Sequence, residues 1–306
     1  MRSTFFKTFF ELADKGANIH LLTADLGFGV LTPYLDKGSQ HVTNVGVAEQ
    51  NMIGLGAGMA MRGVRPYCYS MVPFLLMRTL DQIRADICAT KLPVTLVGVG
   101  AGLAYGPEGM THHAIEDIAI TRTLPNLTIF SPGDPQECAF AVEESFKING
   151  PVYLRIGANM DPALHPACCG LKTGKLAKMR DGSKAAVIAT GTMLARAHAA
   201  VDALAKEGIE CALYSAHTLK PLDKNGIAEI SLKHKLILSV EEHSLINGLG
   251  SAVADILLEA GYKGRFLKIG LPDEYASRLG TRDWLRDHYG LSAGHIGATL
   301  KDALKH

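Results

Sequence analysis

The chain has 306 residues, enough for two domains of ordinary size, each with a sizeable core. Its 31 Lys and Arg stand against 30 Asp and Glu, a formal net charge of +1, which excludes the one-signed balance of a nucleic-acid or anionic-membrane partner. Hydrophobic residues at 47% and charged residues at 20% exclude a chain disordered along its length.

The opening MRSTFFKTFFELADKG carries an apolar-aromatic cluster, but Lys7, Glu11 and Asp14 interrupt it before a signal core or membrane span can form, and a cytoplasmic protein is expected. A helix is predicted with Ser3 as N-cap, its Phe6, Phe9, Phe10 and Ala13 at helical spacing and Gly16 as its end. Strand 18–25, helix 48–62, strand 64–71, helix 76–90, strand 93–99, helix 114–123, strand 127–130, helix 135–147 and strand 151–156 follow. Such alternation predicts an α/β fold with a parallel sheet wound on both faces. From 158 to 184 the periodicity lapses among Pro162, Pro166, Gly170, Gly174 and Gly182, which reads as an interdomain linker. Strand 185–191, a helix to 207, strands 211–216 and 235–240 and helix 250–260 then make a second, smaller doubly wound unit. The expected domains are 1–165 and 180–306, with no internal repeat.

The six cysteines have no CxxC pair and no zinc-ligand spacing, so reduced thiols are expected. Cys168 and Cys169 read as a plain interdomain pair, because adjacent residues rarely meet disulfide geometry. Gly54, Gly56 and Gly58 lie inside a helical segment rather than directly after a strand, and the small residues at 54, 57, 58 and 60 favour close helix packing over a dinucleotide-binding loop. Ahead of them Glu49 stands among Val45, Val47, Ala48, Met52 and Ile53. It is either a helix-start acid at the positive dipole end or a buried acid that shares a proton with a ligand. The loop GPEGMTHHAIED (106–117) follows the strand PVTLVGVG, where the carboxyl end of a parallel strand faces a ligand crevice. Glu108, His112 and His113 there suit acid–base or hydroxyl-binding work better than metal binding, for which further ligands at defined spacing are missing.

NVGVAEQNMIGLGAGMAMRGVRPYCYSMVPF, GVGAGLAYGPEGMTHHAIEDIAITRTLPNLTIFSPGDPQE, GPVYLRIG and SVEEHSLINGLGSAVADILLEAG with IGLPDEYA together resemble, in order, the C-terminal half of transketolase. The resemblance implies a thiamine diphosphate pyrimidine-binding domain followed by a transketolase C-terminal domain, as in a transketolase split into two polypeptides. It implies that Glu49 hydrogen-bonds N1′ of the aminopyrimidine and so promotes loss of the C2 proton, that Phe74 stacks on the pyrimidine, and that Met71 adds a softer contact. His112 would bind substrate oxygen near the reacting carbon, with Glu108 and Asp25 as further acids of the site, His113 in place of the usual Gln, and Arg122 and Arg155 as anion ligands. Gly100 stands where sugar-phosphate transketolases place a phosphate-binding His, which predicts extra room at the far end of the substrate.

The family holds the cofactor's diphosphate through a divalent metal on a GDG motif with an Asn further on. This chain has only GDP at 133–135. The resemblance therefore implies a separate N-terminal subunit that carries the GDG motif and binds Mg2+ or Ca2+, with thiamine diphosphate shared between the chains. It further implies a homodimer of this chain within an α2β2 assembly. Ketol transfer between sugars is the leading expectation. A deoxyxylulose-phosphate-synthase-like or 2-oxoacid dehydrogenase β-type subunit, and a non-catalytic binding partner, are the alternatives.

Overall fold

The computed structural model describes residues 1–36, 40–157, 161–165 and 170–305, so the expectation for Cys168 and Cys169 lies outside the described residues. The first domain runs α1 (Arg2–Asp14), β1 (Ile19–Thr23), α2 (Thr32–Leu35), β2 (Val42–Asn44), α3 (Glu49–Met61), β3 (Arg65–Met71), α4 (Val72–Leu76) and α5 (Leu80–Gln82). A π-helical turn, Ile83–Cys88, continues α5, and then come β4 (Thr95–Val99), α6 (Asp117–Thr123), β5 (Thr128–Phe130), α7 (Pro135–Lys147) and β6 (Val152–Ile156). The second domain runs β7 (Ala177–Arg180), β8 (Ala185–Ala189), α8 (Met193–Ala205), β9 (Cys211–Ser215), β10 (Thr218–Lys220) and α9 (Lys224–Lys233). It ends with β11 (Leu236–Ser244), α10 (Leu249–Glu259), β12 (Arg265–Leu271), α11 (Arg282–His288) and α12 (Ala293–Ala303).

Two largely parallel sheets result, as the alternating pattern predicts. The first has the order β10-β5-β6-β4-β3-β1-β2 and the second β12-β11-β8-β9-β7. Their antiparallel members, β10 and β7, are edge strands. β7 lies within the stretch read as linker, where its AKMR lacks an apolar run. β10 departs further from a simple two-domain reading, because it follows β9 of the second domain yet pairs with β5 of the first sheet.

Helix α1 starts at Arg2 with Met1 at its N-cap, so Ser3 lies inside the helix and caps nothing. What holds α1 is its aromatic face. Phe5, Phe6 and Phe9 are fully buried over β3, with Phe9 edge-on to Tyr67 at 5.1 Å and Phe5 stacked on Tyr69 at 5.8 Å. Burial of each such side chain stabilises by about 1.5–3 kcal/mol, far above the few tenths that helix propensity sets at any one position. On the sheet's other face α3 packs Met52, Ile53 and Ala57 against Leu22 and Cys68, and this core continues into the second domain through Ala216, Leu219, Ile227 and Leu249. The close approach falls at Gly56 instead of the glycine positions expected: a Cβ there would lie 2.9 Å from Cys68 Sγ. At Gly54 and Gly58 no described neighbour lies within 4 Å of either Cβ position.

Candidate active site

Most of the predicted site residues emerge at the C-terminal ends of the central parallel strands, where an open α/β sheet places its ligand crevice. β3 ends at Met71 and turns at once into α4, with Pro73 in its first turn, so Phe74 is delivered to the crevice by a helix of five residues. Periodicity merges this region into one helix over 76–90. In the structure a turn separates α4 from α5, and that turn holds Arg78.

Glu49 is the first residue of α3 and only 4% exposed. Ser70 donates its hydroxyl to Glu49 Oε1 at 3.2 Å, and Arg78 Nη1 lies 3.6 Å from Oε2. The two readings of Glu49 thus coexist, since it is both a helix-start acid and a buried one. The Arg78 guanidinium also lies over the Phe74 ring, 4.3 Å from its centroid, and the opposite partner of that ring is His112, edge-on at 5.1 Å. Glu49, Arg78, Phe74 and His112 are therefore one contact chain. A cleft of about 450 Å3 opens beside its Glu49–Arg78 end, lined by Val47, Ala48, Glu49, Gln50, Asn51 and Arg78. Sequence reasoning missed Ser70 and Arg78. Alternation along β3 could have flagged a polar Ser70 among buried neighbours, whereas nothing local distinguishes Arg78 from a solvated arginine.

The other predicted residues are placed differently. Met71 packs against the aromatic cluster beneath α1. Asp25, at the end of β1, is exposed, adopts φ +52° and accepts the Asn44 side-chain N–H at 2.9 Å. Glu108 is exposed in a single 3-10 turn, Gly106–Glu108, and His112 Nδ1 pairs with Thr111 Oγ1 at 3.0 Å. His113 is 3% exposed and lies on the side of Glu242, away from solvent; burial pushes its pKa down. Neither ring nitrogen has a hydrogen-bond partner among the described residues, and His112 and Glu108 act on it electrostatically as Glu242 does.

The two candidate anion ligands need correction. Arg155 is 2% exposed, and its Nε and Nη2 bond the Asp117 carboxylate at 2.7 and 3.2 Å. Nη2 also donates to the Ala114 and Glu242 carbonyls, both at 3.1 Å. Arg122 donates to the Asn247 and Gly248 carbonyls of the second domain. Both guanidinia are committed to the domain interface. The buried Arg155 is left with little to offer a ligand, whereas the half-buried Arg122 commits only its Nη1. The expected room at Gly100 is absent as well. Gly100 has φ +89°, and the Tyr105 ring occupies the space where its Cβ would stand, so an aromatic side chain fills the place of the missing imidazole.

The residues present fit the pyrimidine half of a thiamine site: a buried carboxylate beside an open cleft, and a flat aromatic face joined to it through Arg78. They do not fit the diphosphate half. Among the described residues the one group of three potential metal ligands is Asp134, Glu137 and His165, at the start of α7 and in the interdomain segment, apart from this cleft. No helix of the described residues is long and apolar enough to cross a membrane.

Comparison with known proteins gives two family matches: transketolase, pyrimidine binding domain, over residues 1–159, and transketolase, C-terminal domain, over residues 174–296. The chain is 32% identical to an apulose-4-phosphate transketolase subunit of Actinobacillus succinogenes, over 87% of this chain and 86% of that one. It is 31% identical to the 6-deoxy-6-sulfo-D-fructose transketolase subunit SqwH of Clostridium sp. strain MSTE9, over 97% and 92%. A solved structure described as a split gene transketolase, inactive beta4 tetramer, superimposes with a TM-score of 0.90 at 32% identity, covering 99% of this chain and 98% of that one. Two domain matches in the family's order, and relatives of the same span, establish that this chain belongs to the transketolase family as a pyrimidine-binding plus C-terminal domain pair.

Proposed function

We propose that the chain is the pyrimidine-binding subunit of a two-chain transketolase that moves a two-carbon ketol unit between sugars. The observation that carries this reading is the Glu49–Arg78–Phe74–His112 chain beside an open cleft. Thiamine diphosphate, when bound, supplies the thiazolium that accommodates carbanion chemistry. Glu49 would hold its aminopyrimidine by a hydrogen bond at N1′, supported from behind by Ser70, and Phe74 would stack on the ring. Arg78 covers the same carboxylate and ring face with a flat cationic group, so it acts as a resident placeholder that the pyrimidine displaces. His112, edge-on to Phe74, would read the substrate oxygen near the reacting carbon, with Glu108 and Asp25 at the rim.

The diphosphate and its Mg2+ or Ca2+ would be held by an N-terminal subunit with a GDG motif. The relative described as an inactive tetramer of β chains is in keeping with that division. A face of α3 with Leu55 41% and Met61 66% exposed, beside the open Gly54 and Gly58, suits burial against a second copy of this chain in an α2β2 assembly. The relatives named for apulose-4-phosphate and 6-deoxy-6-sulfo-D-fructose suggest a sugar derivative as substrate, its far end read by Tyr105 and the partner chain rather than by Arg155.

The test is reconstitution. The chain is co-expressed with a candidate N-terminal transketolase subunit that carries the GDG motif, and ketol transfer is assayed with thiamine diphosphate and Mg2+. Activity that needs both chains and is lost in Glu49→Gln supports the reading. A complex that forms and binds the cofactor but turns over no ketose donor would favour the non-catalytic partner.

A further inference from the structure

The GDP segment at 133–135 takes no part in the cleft, yet it builds a second concentration of buried polar groups where the two domains join. Asp134 is the N-cap of α7, fully buried, with Oδ1 accepting the Glu137 N–H at 2.8 Å and Oδ2 accepting the Leu164 and His165 N–H groups at 2.9 Å. Glu137, also fully buried, accepts the Gly133 N–H on Oε2 and pairs through Oε1 with His165 Nε2 at 2.7 Å. Neither carboxylate is paired with a Lys or Arg among the described residues. Burying two acids without a cation is costly, and backbone N–H groups with one imidazole offset it only in part.

His217 supplies an independent observation. It stands between β9 and β10, is 1% exposed, and its Nε2 has no hydrogen-bond partner. Its Nδ1 is paired with Thr218 Oγ1 at 3.1 Å, which fixes the ring and leaves Nε2 as the free nitrogen. His217 and His165 line the same cleft, about 500 Å3 in volume and open to solvent between the domains.

We infer that Asp134, Glu137, His165 and His217 form a binding site for one divalent transition-metal ion with a preference for nitrogen and oxygen ligands, of the Zn2+ type, which staples the first domain to the returning chain of the second. Two carboxylates would balance the dication, and two imidazoles would give it the nitrogen donors that Mg2+ does not favour. Ligand atoms of Asp134, Glu137 and His165 already lie within 4.8 Å of one another. A tetrahedral site with bonds of about 2.0–2.1 Å needs separations of about 3.3–3.5 Å, so the metal would open the 2.7 Å Glu137–His165 pair and replace the proton it shares, draw Asp134 closer, and bring in His217, which lies outside that group of three.

The experiment uses the full chain, stripped with a chelator and titrated with Zn2+ by calorimetry, with Mg2+ as control. Thermal unfolding is followed in parallel, and Co2+ serves as a spectroscopic probe. The expected result is one Zn2+ per chain at micromolar concentration, a raised melting temperature, and tetrahedral Co2+ bands without thiolate charge transfer. Affinity should fall at least about tenfold in His217→Gln and in Glu137→Gln and persist in the Cys168→Ser/Cys169→Ser double variant. No stoichiometric Zn2+ binding, equal affinity in both ligand variants, or a thiolate signature with Co2+ would overturn the inference. The Co2+ spectrum of the unmodified chain decides even if a variant fails to fold.

Discussion

Replacing Glu242 with Gln keeps the shape of the side chain and removes its charge from the most crowded acceptor in the molecule. Its Oε1 accepts from the Leu103 N–H at 3.1 Å, Arg282 Nε at 3.2 Å and Arg286 Nε at 3.1 Å. Its Oε2 accepts from Thr192 at 3.0 Å, Arg282 Nη2 at 2.8 Å and Arg286 Nη2 at 2.6 Å. The carboxylate is 1% exposed and the two arginines 15% and 7%, so solvent screens little of the attraction. Gln can accept at one oxygen only and sets its own N–H2 against donors, leaving buried guanidinium charge uncompensated. Loss of one partner from a buried pair costs about 3–5 kcal/mol, and that is the expected drop in unfolding free energy. Urea unfolding followed by fluorescence and far-UV dichroism measures it, and a loss below about 1 kcal/mol, the worth of an exposed pair, would refute the reasoning. A pH series adds a second check. Burial alone would raise the Glu242 carboxyl, but Arg282 and Arg286 outweigh it and hold the group well below the usual carboxylate range. Its stabilisation is therefore complete above the unfolded value of 4.5 and is lost as pH falls below that toward the folded value. The gap between the parent and Glu242→Gln should narrow on acidification from pH 4.5 downward; a gap that widens there would reverse the sign.

In the reconstituted complex, Glu49→Gln should slow deuterium exchange at C2 of the cofactor by a factor of about 100 or more, with assembly intact by size-exclusion chromatography. Arg78→Ala removes a half-exposed ion pair and a cation–π contact worth about 1–2 kcal/mol together, so thiamine diphosphate should bind up to about tenfold more tightly by calorimetry; weaker binding would make Arg78 a ligand instead of a placeholder. The isolated chain should show no micromolar affinity for thiamine diphosphate with Mg2+, because it offers the pyrimidine face alone. Arg155→Ala should lower the melting temperature sharply through the orphaned Asp117, whereas a folded variant with altered donor selectivity would return Arg155 to the substrate site.

The alternation of apolar runs and helical periods made the two parallel sheets legible, because strands buried on both faces leave unbroken apolar runs such as AAVIA at β8 and TLVGV at β4. The short edges were not legible. β2 is VTN and β10 is TLK, three residues each, and their strand character comes from a partner that lies far away in sequence. In the site, the resemblance to a family placed Glu49, Phe74 and His112, and periodicity alone could not have joined them, since they come from three separate strand ends. Arg155 and Gly100 differ from their expected surroundings for a shared reason. A residue type says what a group can bind, and Asp117 had already claimed the Arg155 contacts while Tyr105 filled the space beside Gly100.

The return of β10 onto β5 has a consequence for how the gene can be cut. A break in the segment around residues 158–184 would release a first half whose sheet ends in an open β5 edge, with Ile129 and Phe130 facing an unfilled row of hydrogen bonds. Bare edges of that kind recruit other chains, and the half protein would be a seed for aggregation rather than a module. The two domains are thus one unit of inheritance. A designer who wishes to swap the second domain must carry Thr218–Lys220 across with the first, or supply a substitute strand.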